Sequence, residues 1–144
     1  MPQIHLEIIT PERVVYSDDV DSVMAPGIEG ELGILPHHTP LFTQIKPGEI
    51  KIKKRGEEFF LAVTGGFLDV APQSKVTILA DYAIRSEEIE IARAEEAKKR
   101  AEELMREKKS EQEFIFAEAE LRKALLELKV AHRRKAPKGT APSV

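Results

Sequence analysis

Hydrophobic and polar positions alternate in the first half of the chain and recur every three or four residues in the second half. Alternation is clearest at 3–9 and at 50–53, and an apolar run returns at 59–63 after a turn containing Gly56. A two-residue period is typical of strands with one buried face, and the second pair predicts a β-hairpin. Turn signals about every eight to twelve residues predict an all-β sandwich over residues 1–85.

The period changes near Ser86, which has the residue type of a helix N-cap and is followed by three glutamates at 87, 88 and 90. No proline lies between Pro72 and Pro137, so long helices can form without interruption. Residues at helical spacing predict one apolar face on the first helix: Ile91, Ala94, Ala97, Ala101 and Leu104.

A break is predicted near Lys109, because Ser110-Glu-Gln-Glu113 reads as a capping box directly before Phe114. The second helix carries a stripe that Leu125 widens: Phe114, Ala117, Leu121, Ala124, Leu128 and Ala131. The fold class is therefore α+β in sequence-separated modules. An N-terminal all-β sandwich precedes a C-terminal antiparallel two-helix hairpin over 86–135, and 136–144 is expected to be a flexible tail.

Charge and composition restrict the possible functions. The net charge is −3, which gives no basic footprint for nucleic acid. The segment 122–138 holds seven cationic residues and one acid, net +6, which suggests an acidic partner or compensation of the helix dipole. There is no cysteine, so disulfide and thiolate chemistry are excluded. Neither a membrane-spanning run nor a signal peptide is recognisable, which predicts a soluble cytoplasmic chain.

The segment 29–41 is unusual because two glycines and two prolines punctuate it and it carries two acids and two histidines. His37 and His38 could ligate a metal, but adjacent residues on an extended chain point to opposite faces and no further ligand cluster exists, so no metal is predicted. An exposed shaped loop and a partner-binding loop are the two other interpretations.

Several motifs in one order are similar to a known family. They are Glu29-Gly-Glu-Leu-Gly-Ile-Leu-Pro-His-His-Thr-Pro-Leu41, Ile45-Lys-Pro-Gly48, Gly65-Gly-Phe-Leu-Asp-Val70 and Val76-Thr-Ile-Leu-Ala-Asp81. This order resembles the ε subunits of bacterial F-type ATP synthases, and the likeness continues to about Lys135. The resemblance implies a non-catalytic central-stalk subunit that couples the γ subunit to the c-subunit ring of a proton-translocating ATP synthase. It also implies a peripheral position on the cytoplasmic side of the bacterial membrane.

The resemblance also implies roles for particular residues. Glu29 and Glu31 match the loop that meets the c ring, and His38 and Leu41 match the face near γ. The helical hairpin would inhibit ATP hydrolysis when it extends toward the catalytic α/β head and permit rotation when it folds down. Cations would then meet acidic segments of the β subunits: Arg122, Lys123, Lys129, Arg133, Arg134 and Lys135.

Some members of that family bind ATP through a run like Ile-Asp-x-x-Arg-Ala. The matching run here is Ile89-Glu90-Ile91-Ala92-Arg93-Ala94, with Glu90 in place of Asp. Two arginines of those members correspond to Lys123 and Glu127, and Glu127 would repel phosphate. No cofactor is required, and two interpretations stay open: a weak regulatory ATP site through Ile89, Glu90, Arg93, Ala94 and Lys123, or ordinary helix-surface residues.

Two other functional classes make different predictions from the same sequence. A stand-alone adaptor would share the fold but bind one protein through each module, and it would not co-purify with a rotary ATPase. An enzyme would need a catalytic constellation, whereas the four histidines are scattered and no glycine-rich phosphate loop precedes a helix. The sequence therefore predicts no catalytic residues.

Overall fold

The computed structural model describes residues 2–107 and 109–135, with side chains as far as Arg133; the predicted tail at 136–144 lies outside the described residues. The chain divides into two compact units that meet between Arg85 and Ser86. We call them the sheet unit and the helical unit.

The sheet unit contains ten strands in one sheet. They are β1 (Ile4–Ile9), β2 (Val14–Val20), β3 (Ser22–Gly27), β4 (Gly30–Ile34), β5 (Leu41–Ile45), β6 (Gly48–Lys54), β7 (Glu57–Val63), β8 (Gly66–Ala71), β9 (Lys75–Ala80) and β10 (Ala83–Arg85). The strand order is β10-β7-β6-β3-β5-β8-β9-β1-β2, and β4 pairs with β3 outside that path. All of these pairs are antiparallel except β1 with β9, which is parallel.

Strands at both ends of this order, β10 and β2, contribute to the same apolar core. The single sheet therefore folds over on itself and packs as a sandwich. Alternate residues of β1 are fully buried, and the same alternation recurs in β6 and β9. The core cluster runs from Ile4 to Ala83, so it lies within the sheet unit. The predicted all-β sandwich is confirmed.

Local chemistry explains the β6–β7 hairpin. Its two-residue turn places Arg55 at φ 52° and Gly56 at φ 79°, which matches the twist of a two-residue hairpin loop. The Arg55 amide donates to the Asp21 carboxylate over 2.8 Å, and the Lys54 ammonium pairs with Asp18 on β2. The hydrogen bond from Lys54, helped by the Asp19 amide, lowers the pKa of Asp18 below its ordinary value.

Three short strands were not predicted: β4, β5 and β10. The segment 29–41 was predicted to be a loop, either simply exposed or binding a partner, but its first half forms β4, in which Gly33 faces Met24 and Ile34 faces Val23. Ile34 is buried, so this half of the segment supplies core as well as surface.

The helical unit contains α1 (Ile91–Glu107) and α2 (Glu111–Ala131), with 3₁₀ turns at Ser86–Glu88 and His132–Lys135. A short connection and extensive packing of α1 on α2 make the pair an antiparallel hairpin, as predicted. Ser110 caps α2 as expected, because its Oγ accepts a 3.1 Å hydrogen bond from the Glu113 amide.

The predicted start of the first helix at Ser86 was wrong. Ser86 is buried in a 3₁₀ turn, its carbonyl accepts a bond from the Ile89 amide, and the first α-helical bond joins the Ala94 amide to the Glu90 carbonyl. The 3₁₀ turn at Ser86–Glu88 leads directly into Ile89, whose side chain is buried. Five residues, 86–90, therefore connect the sheet to α1.

The predicted helix faces were right at five of their six alanines and wrong at their edges, while the sixth alanine, Ala97, is half-buried. Ala94, Ala101, Ala117, Ala124 and Ala131 are all buried. Two leucines were misplaced, because Leu104 and Leu125 are exposed, and Val130 is buried although it was not predicted. Small side chains in the seam let the two helices approach closely, so larger residues at its margins remain outside.

Candidate protein-binding surfaces

The turn between β3 and β4 carries Glu29 and Glu31 at an exposed tip. Gly27 pairs with Gly30, and a Cβ on Gly27 would come within 2.6 Å of the Gly30 carbonyl oxygen, so the tight turn requires glycine there. Both glutamates are exposed, and neither forms an ion pair with a described side chain. The tip therefore offers two carboxylates to an outside partner.

His38 and Leu41 lie beyond the other end of β4, about 15 Å of strand away from the tip. The His37 amide donates to the Ser74 hydroxyl over 2.8 Å, and His38 Nδ1 lies 2.6 Å from the Thr39 carbonyl oxygen. Leu41 begins β5 and packs partly against the core. The four residues assigned by resemblance to the rotor interface thus occupy two separate regions of the sheet unit, one at the β3–β4 turn and one between β4 and β5.

Sequence reasoning missed an apolar row on the outer face of the sheet, which we call the apolar stripe. Cross-strand pairing aligns Phe67 with Leu79, Leu79 with Ile9, and Ile9 with Val14. The Phe42 ring stacks on Phe67 with centroids 5.6 Å apart and planes 10° from parallel.

The stripe crosses five strands in a face that also carries polar residues. Phe42 is 64% exposed, Val14 53%, Leu79 46% and Phe67 44%, while Ile9 is half-buried. Single exposed apolar residues are common, whereas a contiguous row of them is a candidate protein-interaction surface. In the sequence, each of the five strands shows only one apolar residue at an outward-facing position. These residues form a row only when the register between the strands is known.

Three of the predicted cations share one exposed face of the helical unit. Arg122 and Lys129 lie two helical turns apart on α2, and Arg133 follows one turn later in the 3₁₀ segment. All three are exposed; Arg122 makes a 3.5 Å ion pair with Glu118. On the same side of α2, Ile115 lies two turns before Arg122 and Leu125 about one turn after it, and both are exposed. This face, which we call the cationic face, therefore carries charged and apolar side chains.

Of the other three predicted cations, one stands apart from that face. Lys123 is half-buried and about 100° around the helix from Arg122. The side chain of Arg134, like that of Lys135, lies outside the described residues.

The residues assigned to ATP occupy the start of α1. Ile89 and Ala94 are buried, whereas Glu90 and Arg93 are exposed and pair with each other over 3.1 Å. That pairing occupies the two groups that would bind a nucleotide, and Lys123 lies on the other helix. ATP binding at these residues stays a prediction, which calorimetric titration with and without magnesium measures directly.

Within residues 2–107 and 109–135, no group of three or more His, Asp or Glu residues is placed to hold a metal ion. In the same part of the chain, neither α-helix combines the length and apolarity needed to cross a bilayer.

Comparison with known proteins bears on both units. Residues 3–86 match the family described as ATP synthase, Delta/Epsilon chain, beta-sandwich domain, and residues 87–132 match its long alpha-helix domain. An ATP synthase epsilon chain of Dehalococcoides mccartyi (strain CBDB1) is 53% identical over 136 residues, covering 94% of this chain and 96% of the relative. One from Herpetosiphon aurantiacus is 48% identical over 132 residues, covering 92% and 96%.

Solved structures share the fold at low identity. A chain of the Euglena gracilis mitochondrial ATP synthase, solved as OSCP/F1/c-ring, superposes with a TM-score of 0.65 at 22% identity and covers 94% of this chain and 81% of that one. A chain of the Tetrahymena thermophila mitochondrial ATP synthase central stalk/c-ring gives 0.58 at 16%, covering 89% and 96%. With both of its units matched in order and close relatives aligned over nearly its whole length, this chain belongs to the ATP synthase delta/epsilon chain family.

Proposed function

We propose that the chain is a non-catalytic central-stalk subunit of a bacterial F-type ATP synthase, attached peripherally on the cytoplasmic side of the membrane. In this proposal the sheet unit joins the γ subunit to the c-subunit ring, and the helical unit regulates hydrolysis by the α/β head. Family membership supports the assignment to the complex. The apolar stripe is the observation that carries the proposal of a lasting protein contact on the sheet unit.

The stripe is suited to the γ subunit because that contact must transmit torque without dissociating. Interfaces between permanently associated subunits are more apolar than transient ones and are stabilised mainly by buried aromatic and aliphatic side chains. Phe42 and Phe67 stack into one rigid pair on a sheet, so little side-chain entropy is lost when a partner covers them.

The double substitution Phe42→Ser and Phe67→Ser should weaken binding to purified γ subunit by about a hundredfold, because two large apolar surfaces would no longer be buried. Both side chains face solvent in the free chain, so its thermal unfolding should change little. Isothermal titration of γ with each variant measures the affinity.

The matched control is Ile115→Ser with Phe116→Ser, which removes similarly exposed apolar surface from the helical unit. It should leave γ affinity unchanged. Equal affinity of the stripe variant and the parent chain would remove the stripe from the γ interface.

The acidic tip is proposed to meet the polar loops of the c ring. Carboxylates that form no ion pair with any described side chain can pair with cations of a ring surface without first breaking those contacts. The glycine-shaped turn keeps the tip narrow and fixed on the β3–β4 hairpin, which suits a contact that must not slip during rotation.

Glu31→Cys should cross-link to a cysteine placed in the c-subunit polar loop of the assembled complex. The natural chain contains no cysteine, so the introduced thiol is the only one it supplies. Glu57→Cys, in the exposed start of β7, is the matched control and should give no cross-link. Efficient cross-linking of the control, or none at Glu31 in a fully assembled complex, would contradict the c-ring assignment.

The cationic face is proposed to be the inhibitory contact with acidic segments of the catalytic β subunits. Arg122 and Lys129 lie on one side of α2 and Arg133 follows them in the 3₁₀ turn, so a single acidic surface could engage all three. The neighbouring apolar side chains would add burial to that contact. Removal of the helical unit tests this proposal most directly.

A further inference from the structure

A β-bulge in β2 leaves one backbone group at the edge of the sheet. Ile8 pairs with Tyr16 and Ile9 with Val14, so Val15 is an extra residue without an opposite partner on β1. β2 ends the strand order, and among the described strands it forms a ladder with β1 alone, so its other edge has no strand pairing. A bulge interrupts the ladder and redirects neighbouring groups, and here Val15 and Tyr16 are both buried in succession.

The Arg85 side chain takes up that edge group. Its Nε and Nη2 both donate to the Val15 carbonyl oxygen, over 3.1 and 3.0 Å, and its Cζ lies 5.1 Å from the centroid of the Tyr16 ring. Hydrogen bonds and cation–π contacts strengthen where water is excluded, and Val15 and Tyr16 are only 2% and 8% exposed.

This contact joins the two ends of the sheet. Arg85 belongs to β10, which begins the strand order that β2 ends. β10 is short, with three register pairs to β7, and its pairing alone would resist fraying weakly. The side chain of its last residue therefore supplies a second attachment, on a strand other than β7.

The position of Arg85 along the chain gives the contact a second consequence. The two compact units meet directly after it, and the backbone then passes through residues 86–90 before α1 begins. Any force that a moving helical unit exerts on the sheet unit through the chain arrives first at β10.

We propose that Arg85 is a clasp that holds β10 in the sheet and confines the pivot of the helical unit to residues 86–90. The clasp itself depends only on contacts within the sheet unit, whereas its use as a pivot stop rests on the proposed movement of the helical unit. Without the clasp, β10 would become part of the moving linker, and the helical unit would explore a wider range of positions.

Hydrogen exchange of the full-length chain tests the clasp. Arg85→Met keeps the apolar stem and loses the donors, so the amides of Ala83–Arg85 should exchange about tenfold faster than in the parent. The exchange rates in Arg85→Lys should fall between those of Arg85→Met and the parent, because the lysine ammonium keeps the charge but lacks the planar pair of donors of the guanidinium. Lys75→Met removes an exposed charge from the same unit and should leave β10 exchange unchanged. Unchanged β10 exchange in Arg85→Met, or equal acceleration over the whole sheet, would overturn the clasp.

Spin-label distances test the pivot. Labels at Lys53→Cys and Arg106→Cys occupy exposed positions on the two units, and the chain has no other cysteine. Adding Arg85→Met should widen the distribution of distances between the labels. If the distance distribution has the same width with and without Arg85→Met, although β10 exchanges faster in that variant, Arg85 does not confine the pivot. If removal of the helical unit proves not to affect ATP hydrolysis, the regulatory proposal fails while the exchange result still decides the clasp.

Discussion

A chain that ends at Arg85 is expected to assemble with γ and the c ring and to let the reconstituted ATP synthase hydrolyse ATP at least about fivefold faster than the full-length chain does. Its core cluster lies between Ile4 and Ala83, so the sheet unit keeps its folding core after the deletion. The stripe and the acidic tip are also retained. The steady-state rate of ATP hydrolysis, measured together with co-purification of γ, separates lost inhibition from lost assembly.

Substitution of the cationic face should reproduce part of that release. Arg122→Ala, Lys129→Ala and Arg133→Ala together remove the exposed charges while Ala preserves helix propensity. The control replaces three cations of α1 with alanine: Lys98, Lys99 and Arg100. Exposed charge pairs are screened over roughly 8–10 Å at moderate salt, so inhibition by the parent should weaken as salt rises. Equal inhibition by the truncated and full-length chains at every salt concentration would assign any inhibition to the sheet unit.

Gly66→Ala is expected to destabilise the sheet unit by about 3 kcal/mol or more, among the largest effects of any single substitution. Gly66 has φ 149°, which L side chains rarely adopt, and an added Cβ would overlap the Leu79 carbonyl oxygen and approach the Ala80 Cα within 2.9 Å. The obstructing atoms are backbone atoms of β9, so they cannot move aside without breaking strand pairing.

Thermal unfolding followed by circular dichroism at a strand wavelength measures the effect, and the midpoint should fall by more than about 10 °C. Gly33→Ala is the matched control, because a Cβ there would meet nothing within 4 Å. It should change the midpoint little. A Gly66→Ala chain with the parent midpoint would show that β8 and β9 do not pack as closely as described.

Elements whose signals are local could be predicted from the sequence. The β6–β7 hairpin has alternation on both sides of a glycine turn, and α2 has its cap within four residues. β10 has three residues, too few to show a period, and exists because β7 and Arg85 hold it. The start of α1 was predicted too early because Ser86 has the residue type of an N-cap. In the structure Ser86 begins a 3₁₀ turn and Ile89 is buried, so tertiary packing overrides the local preference.

The candidate surfaces divide in the same way. Exposure of Glu29 and Glu31 follows from their glycine-rich setting and was predictable as a surface loop. The stripe depends on register between strands far apart in sequence: Ile9 and Leu79 face each other across 70 residues of chain. The alanine seam was predictable from spacing, whereas exclusion of Leu104 and Leu125 depends on how closely the helices approach.

The parallel pairing of β1 with β9 has a consequence for synthesis on the ribosome. β1 leaves the ribosome well before β9, because the strand that pairs with it through residues 75–79 comes some seventy residues later in the chain. Contacts of such sequence separation form slowly, and unpaired apolar strands are prone to aggregate. Until β9 is released, β1 can form its backbone ladder with β2 but not with β9. Translation speed before residue 80 therefore sets how long this nascent chain needs protection, while the helices that follow fold through local contacts.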